Sequence, residues 1–557
     1  MSHSYKVSAL MWFRRDLRLH DNTALTLLLE QVVQASQHTE SCLQAVFVMT
    51  PKQWLAHDMS ISQVDLMMRT LTHLTNDLNH KLGMKLSVLQ AESYSDSIDV
   101  IEAFCVDNHI THVGCNYEYE VNEQQRDTAL AKRLSKLNIK FNQYHDQCIL
   151  PPNTIKTGDD TLYKVFTPFY KKWQQTLQIS PPVLYDINSL AEGDIKQKLT
   201  NLNINQASTD TSSTQNTSST QHTSSTQSIK DSHQSVLQRF TSHYQLSENN
   251  AETIPVLESA RAAYPAGEQV AIDRLNSFVQ QDIEEYSLTH DQPALMGTSH
   301  LSAYLTLGII SPRLCYLTAN ARLESKSFAD ENLVDSESEL EIFENNSKGD
   351  VERWISELAW RDFYRHVIVD RPDIVKGAAY KKDTDIKLNW SYDNDDFQAW
   401  CQGMTGVPLI DAAMRCLNQT GFMHNRLRMV TAMFLTKDLF IDWRLGERYF
   451  MQNLIDADFA SNNGGWQWSA STGTDAAPYF RIMNPFSQAK THDKDAIFIK
   501  SWLPELKDIP ANILHDENKL RKALSKQGAF AHVNYPLPMV EHKQARRYAI
   551  EQFKARG

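Results

Sequence analysis

The chain has 557 residues, too many for one ordinary core, so two or more domains are expected. Hydrophobic residues make up 41% and charged residues 22%, the balance of a folded globular protein, and no apolar run is long enough to span a membrane. The net charge of −12 does not exclude a nucleic-acid partner: residues 324–352 hold ten acids and two lysines, a local −8 that leaves only −4 elsewhere.

The opening "MSHSYKVSALMWFRRDLRLH" has no signal pattern, because arginines interrupt its short apolar patch. Candidate strands follow at 8–13, 44–49, 85–90, 112–117 and 139–144, with helical patterns between them, for example 65–82. This rhythm predicts an α/β domain over 1–150, built on a doubly wound parallel sheet. The first strand leads into "RRDLRLHDN" and not into a glycine fingerprint, so a dinucleotide site of the usual kind is not expected at that turn. Seven cysteines are scattered without a C-x-x-C pair or zinc spacing, which points to a reducing cytoplasm and to no metal site.

Residues 151–261 read as an interdomain linker. "TSSTQ" recurs at 211–215, 217–221 and 223–227, a Ser/Thr/Gln-rich insertion that cannot bury a core. From 262 to 557 the pattern is all-helical, interrupted by the acidic insertion near 324–350, read as a solvated surface segment.

Chemistry concentrates in this helical part. Seven of the eleven tryptophans lie between 354 and 468. Packing alone explains large rings, but their neighbours are polar. "SELAWRDFYRH" sets Glu357 three residues before Trp360 on one helical face. "GFMHNRLRMVTAMFL" places Asn425, Arg428 and Met429 together, with Arg426 turned aside. "LIDADFASNNGGWQW" offers Asp456, Asp458 and Asn462, then two glycines among tryptophans. Paired acids and arginines in apolar surroundings suggest compensated charges, or an anionic cofactor with a polar sugar. "GTSHLSAYLTLG" supplies Thr298, Ser299 and Ser302 at a helix start. Such hydroxyls suit a phosphate, although ordinary caps look the same.

These segments, with "MWFRRDLRLHDN" at 11–22 and "NNGGWQWSASTGTDAAPYFRIMNP" at 462–485, resemble the photolyase/cryptochrome family. Within it they are most similar to bacterial class I cyclobutane pyrimidine dimer photolyases. The resemblance implies an α/β antenna domain and an all-helical FAD domain. It implies light-driven DNA repair, in which excited reduced FAD lends an electron to a flipped-out pyrimidine dimer. The implied flavin contacts are Tyr286, Thr298, Ser299, Leu301, Ser302, Trp354, Arg361, Arg428, Asp456, Asp458 and Asn462, with Asn462 at N5 and Arg428 paired with Asp456. Glu357 would hydrogen-bond the dimer. Trp360 and Trp468 would wall it, and Asn425 and Met429 would line its pocket. Arg426 and Arg481 would meet phosphates. Trp466, Trp443 and Trp390 match an electron relay from flavin to surface.

His57, Asn122, Glu123 and Lys376 match the positions that hold a 5,10-methenyltetrahydrofolate antenna. The expected partner is DNA carrying dimers, with no membrane, for a monomer in the bacterial cytoplasm, associated with the nucleoid through DNA. Two departures stand out: Phe422 replaces a common tryptophan, and His290 replaces a common arginine. Gly464 and Gly465 are expected to let backbone pass where any Cβ would collide. A cryptochrome-like blue-light photoreceptor is the alternative. It would keep flavin and relay, but not the set Glu357, Trp360, Met429 and Trp468. A six-four photolyase would characteristically carry histidine at the Met429 position.

Overall fold

The computed structural model describes residues 6–36, 41–187, 226–246, 254–330 and 339–556. The predicted strands form one wholly parallel sheet: β1 (Ser8–Phe13), β2 (Cys42–Met49), β3 (Leu86–Gln90), β4 (His112–Asn116) and β5 (Lys140–Tyr144). Their order is β3-β2-β1-β4-β5. Helices cover both faces, so β1 is buried along its whole length and its SALMWF sequence shows no alternation. The chain builds outward from β1 to β3, then returns to add β4 and β5 on the other side. That reversal opens a crevice beyond the carboxyl ends of β1 and β4.

The helix expected from 65 begins earlier, at Ile61, and ends at Leu82. Ser60 accepts from the Gln63 N–H and so caps a turn whose apolar signal is weak. Gly83, in the left-handed region, stops the helix.

Within 151–261 the described residues include the helices Phe166–Ile179, Thr226–His243 and Pro255–Ala263. The first buries Phe166, Phe169, Trp173 and Leu177, one stripe at helical spacing. It packs on the 32-residue helix Glu339–Asp370. Asp362 of that long helix accepts the Trp173 indole N–H at 3.0 Å and the backbone N–H groups of Ile149 and Leu150. One buried carboxylate thus ties the end of the sheet domain and the connector to the helical half. Most of the Ser/Thr/Gln repeat, 211–225, and residues 331–338 of the acidic segment lie outside the described residues.

From Pro255 onward the described elements are helices. One apolar core runs from β1 through Ile61–Leu82 to Trp354 and Phe363. A second core surrounds Trp400, Trp443 and Trp466.

Candidate active site

The crevice beyond β1 and β4 deepens into a cavity of about 380 Å³, lined by His57, Asn122, Glu123 and Lys376, the four positions expected for an antenna. β1 delivers Arg14 and Arg15 to its rim, and the stretch after β4 delivers Glu118 and Glu120. Arg15 pairs with both acids, at 2.8 and 2.5 Å. Arg14 and Arg126 bind Asp127 and Glu118 in the same cluster. Burial opposes ionisation of Glu118, but Arg14, Arg15 and Arg126 overcome it and hold its carboxyl well below the usual range. Glu123 differs. Its Oε1 accepts from the Tyr94 hydroxyl at 3.0 Å, and its buried Oε2 has no hydrogen-bond partner among the described residues. Burial, with repulsion from Glu120 and Glu118, pushes it up to about 7. His57 Nε2 lies 3.1 Å from the Asn122 amide and 2.8 Å from that of Gln53. Trp12, Trp54, Tyr94 and Phe459 supply flat apolar walls. The cavity is of small-molecule size.

Thr306 and Ala457 form the inner wall of this cavity. Behind them stand the residues expected to hold a flavin. The Thr306 hydroxyl donates to the carbonyl of Asp456 at 3.3 Å, which links the one-turn helix Ser302–Thr306 to the Asp456–Asp458 segment. Thr298, Ser299 and Leu301 lie in the loop just before that turn. The Arg428 guanidinium grips Asp456 through Nη2 at 3.0 and 2.8 Å, as expected. Asp458 caps the helix Phe459–Ala470 by accepting from the Ser461 N–H, and it pairs with Arg365 at 2.5 Å. Burial disfavours the Asp458 charge, but Arg365 and Arg361 hold its carboxyl below the usual range.

Arg361 itself is left over. Its guanidinium donates to the carbonyls of Gln147 and Leu305, and among the described residues no carboxylate pairs with it. Burial and the neighbouring Arg365 push it down to about 10. A half-buried guanidinium that donates to carbonyls and pairs with no carboxylate among the described residues is a fitting partner for a diphosphate. Tyr286 and Trp354 flank Phe278, their rings 6.0 and 5.5 Å from it.

Asp458, Asn462 and Gly465 are four and three residues apart, so they share one helical face. A Cβ at Gly465 would meet nothing within 4 Å. Gly465 is therefore not crowded, contrary to expectation; it opens a space beside Asn462. Gly464 behaves as expected, since a Cβ there would sit 2.1 Å from the Tyr364 ring. The Asn462 amide N–H donates to the Glu447 carbonyl at 3.0 Å, which fixes the orientation of the side chain.

On the long helix, Glu357, Trp360 and Tyr364 share one face at spacings of three and four. Burial pushes Glu357 up to about 7; Arg353 opposes the shift and Asp291 adds to it. Trp360 stacks on Phe166 with ring centroids 3.6 Å apart and planes 7° from parallel. Its indole is therefore braced on one face. Tyr364 lies 5.5 Å from Trp360 and, with Gly464, lines a small recess shared with Trp468. Met429 is half-buried and Asn425 exposed. Arg481 is exposed, but Arg426 pairs with Asp291, so any phosphate would compete with that carboxylate. Beside His290, 3.5 Å away, stands Arg353, a guanidinium in the neighbourhood where the histidine departs from the family pattern. Phe422 keeps a ring beneath Arg428, whose Cζ lies 5.6 Å from its centroid.

The three tryptophans expected to form a relay lie in the second core, 2, 0 and 7% exposed for Trp466, Trp443 and Trp390. The Trp466 ring rests on Gly446, one turn beyond Trp443. Trp443 and Trp390 both donate to Asp385.

Sequence reasoning missed Tyr364, Arg365, Asp385 and Glu447. Tyr364 was legible, because it extends the Glu357–Trp360 face by one turn. Arg365 stands four residues after Arg361 and could have been found in the same way. Asp385 and Glu447 gain meaning only from partners distant in sequence.

A DNA photolyase family profile matches residues 9–185, and a profile for the FAD binding domain of DNA photolyase matches 354–555. The chain is 38% identical over 548 residues to a deoxyribodipyrimidine photo-lyase of Escherichia coli strain K12, covering 98% of each. It is 36% identical over 545 residues to one of Vibrio cholerae, covering 98% of this chain and 99% of that one. Among solved structures, a bacterial class III photolyase from Agrobacterium tumefaciens superposes with a TM-score of 0.73 at 27% identity, covering 99% and 98% of the two chains. A Synechocystis cryptochrome shares the fold, with a TM-score of 0.71 at 24% identity and 99% and 100% coverage. Likeness at this level along nearly the whole length, over a site of this composition, means that the chain belongs to the DNA photolyase family.

Proposed function

We infer that this chain is a deoxyribodipyrimidine photo-lyase of class I, which uses light and FAD to split cyclobutane pyrimidine dimers in DNA. The observation that carries the reading is Glu357: an acid pushed up to about 7 and set on one helical face with Trp360 and Tyr364. A neutral carboxyl donates a hydrogen bond to a pyrimidine carbonyl, and it does so most strongly when that carbonyl gains negative charge.

The residues present fit the cofactor. Arg361, helped by the hydroxyls of Thr298, Ser299 and Ser302, would hold its diphosphate, and the open face of Asp458, Asn462 and Gly465 would take the ring and sugar. Bound reduced FAD supplies, on excitation, the electron that opens the cyclobutane ring and takes it back. Trp360, braced by Phe166, and Trp468 would give the extruded dimer apolar walls. Stacking of this kind contributes roughly 1–3 kcal/mol per base and offsets the few kcal/mol lost on leaving the helix. Asn425 and Met429 would line the pocket, and Arg481 would meet phosphate, positioning the strand without reading its sequence.

The cavity beside the sheet would hold a folate antenna: the free Oε2 of Glu123 suits a heterocycle rich in N–H donors, and the flat walls suit a pterin. The protein would work as a monomer in a reducing cytoplasm, in keeping with seven cysteines that are all buried. In this reading the antenna domain ends near residue 150 and the FAD- and DNA-binding domain begins near 262. Among the described residues no helix is long and apolar enough to cross a membrane.

The test is illumination of the fully reduced protein, bound to an oligonucleotide containing a thymine dimer, with blue or near-ultraviolet light. Recovery of intact thymines is expected, and failure to recover them overturns the assignment.

A further inference from the structure

The three relay tryptophans differ in what surrounds their indoles. The buried Trp466 N–H has no hydrogen-bond partner among the described residues. The N–H groups of Trp443 and Trp390 both donate to the same atom, Asp385 Oδ1, at 3.2 Å each. The other oxygen of Asp385 accepts from Arg444 Nη2 at 2.6 Å. Arg444 also pairs with Asp442 at 3.1 Å, so one cation serves two carboxylates and the cluster carries a net negative charge. Asp442 in turn accepts from the exposed Tyr392 hydroxyl at 2.7 Å. The Arg444 guanidinium lies over the Trp443 ring, 4.5 Å from its centroid. The Trp390 ring packs on the neutral ring of Phe440 at 5.0 Å.

We propose that Asp385 and Arg444 are positioning residues that drive a hole outward along the relay, with Asp385 as the proton acceptor for Trp390. The proposal rests on the relay reading of Trp466, Trp443 and Trp390. A hole on Trp466 has no anion beside its N–H. On Trp443 it gains the Asp385 charge but meets a cation across its ring face. On Trp390 it gains the same carboxylate, packs on Phe440, and among the described residues meets no cation over its ring. Each step outward is therefore electrostatically downhill.

Trp390 passes one electron to oxidised Trp443. The N–H proton of Trp390 then moves to Asp385 Oδ1, leaving a neutral indolyl radical and a carboxylic acid. An external thiolate later returns the electron and Asp385 returns the proton, so the indole and the carboxylate are both restored. Because the acceptor sits inside the protein, loss of the proton does not wait on buffer.

The experiment is laser-flash absorption of the flavin-loaded, oxidised protein, following tryptophan radicals. In the wild type, deprotonation of the terminal radical should proceed at a rate independent of buffer concentration. An opposite charge at this range favours a charged form by a factor of about ten or more. Asp385→Asn, which keeps an acceptor but removes the charge, should therefore shorten the lifetime of the separated charges about tenfold and make deprotonation depend on buffer. Flavin content is the folding control. In indole ¹H–¹⁵N spectra, Asp385→Asn should move the signals of Trp390 and Trp443 and leave that of Trp466 in place.

Trp390→Phe separates the two readings. If the long-lived radical survives Trp390→Phe, the relay reading itself falls. If Trp390→Phe abolishes the radical while Asp385→Asn leaves its lifetime unchanged, the role of Asp385 is overturned. Wild-type deprotonation that accelerates with buffer overturns it too, whether or not Asp385→Asn folds.

Discussion

The cavity beside the sheet and the helical region expected to hold the flavin leave opposite groups unsatisfied. Beside the sheet, Arg14, Arg15 and Arg126 are all paired within the chain, and an acid oxygen, Glu123 Oε2, has no partner among the described residues. In the helical half, Asp456 and Asp458 are paired, and Arg361 has no carboxylate within ion-pair distance among the described residues. The thin wall between them contains Thr306, which faces the cavity and bonds to Asp456 behind it. The difference teaches what each region is built to receive. A buried acid with an unpartnered oxygen suits an uncharged donor-rich ring, and a half-buried guanidinium with no carboxylate partner among the described residues suits a diphosphate. On this proposal the sheet-side cavity lacks hydrogen-bond donors and the helical site lacks a negative charge, and the two ligands would supply them.

The comparison breaks most visibly at Arg361. Arg361→Leu removes this cation, and hydrogen bonds to charged groups are worth about 1.5–3 kcal/mol each. Flavin affinity should drop about a hundredfold, measured by equilibrium dialysis of the folded protein. Retention at wild-type affinity would show that Arg361 does not face the diphosphate.

Next in size is Glu357, a second acid raised by burial but assigned to substrate and not to a cofactor. Glu357→Ala should lower the yield of repair about tenfold, the scale of one charge-assisted hydrogen bond, with little loss of flavin. The pH profile sharpens the point. Burial pushes this carboxyl up to about 7, so it is a donor below that pH and an ionised acceptor above it. Repair per absorbed photon should fall as pH rises through about 7. Glu357→Gln, a donor at every pH, should flatten the profile.

The smallest effect is expected at Glu123. Glu123→Gln keeps the shape of the cavity and should weaken folate binding several-fold, on the scale of about 1 kcal/mol for one hydrogen bond. Repair under direct flavin excitation should persist. The same residue has a stability signature. Its folded value of about 7 lies above its ordinary 4.5, so the protonated fold is favoured at low pH. That contribution is complete below 4.5 and is lost as pH rises towards about 7. Between these values the melting temperature of Glu123→Gln should therefore decline less than that of the wild type.

Much of this was legible in the sequence because it is local. The unbroken apolar run SALMWF announced a strand covered on both faces, and all five predicted strands lie within two residues of the observed ends. Glu357 and Trp360 on one face, and Asp458 four residues before Asn462, follow from the period of a helix alone. The long motifs identified the family, and the four antenna positions expected from them do line one cavity. Local pattern also misled: two adjacent glycines looked equivalent, yet one lies against Tyr364 and the other opens onto space.

The sequence by itself determined the elements, the faces they present and the kinship of the chain. Tertiary structure alone decided which charges are cancelled and which are left over. Arg361, Arg365 and Arg428 look alike in sequence, but only the fold gives Asp458 to Arg365, Asp456 to Arg428 and two carbonyls to Arg361. Asp385 is an ordinary acid until folding brings Trp390 and Trp443, five and 58 residues away, to one of its oxygens. The physical reason is range. Helix and strand periodicity is set by neighbours in the chain, whereas desolvation and charge pairing depend on what is close in space.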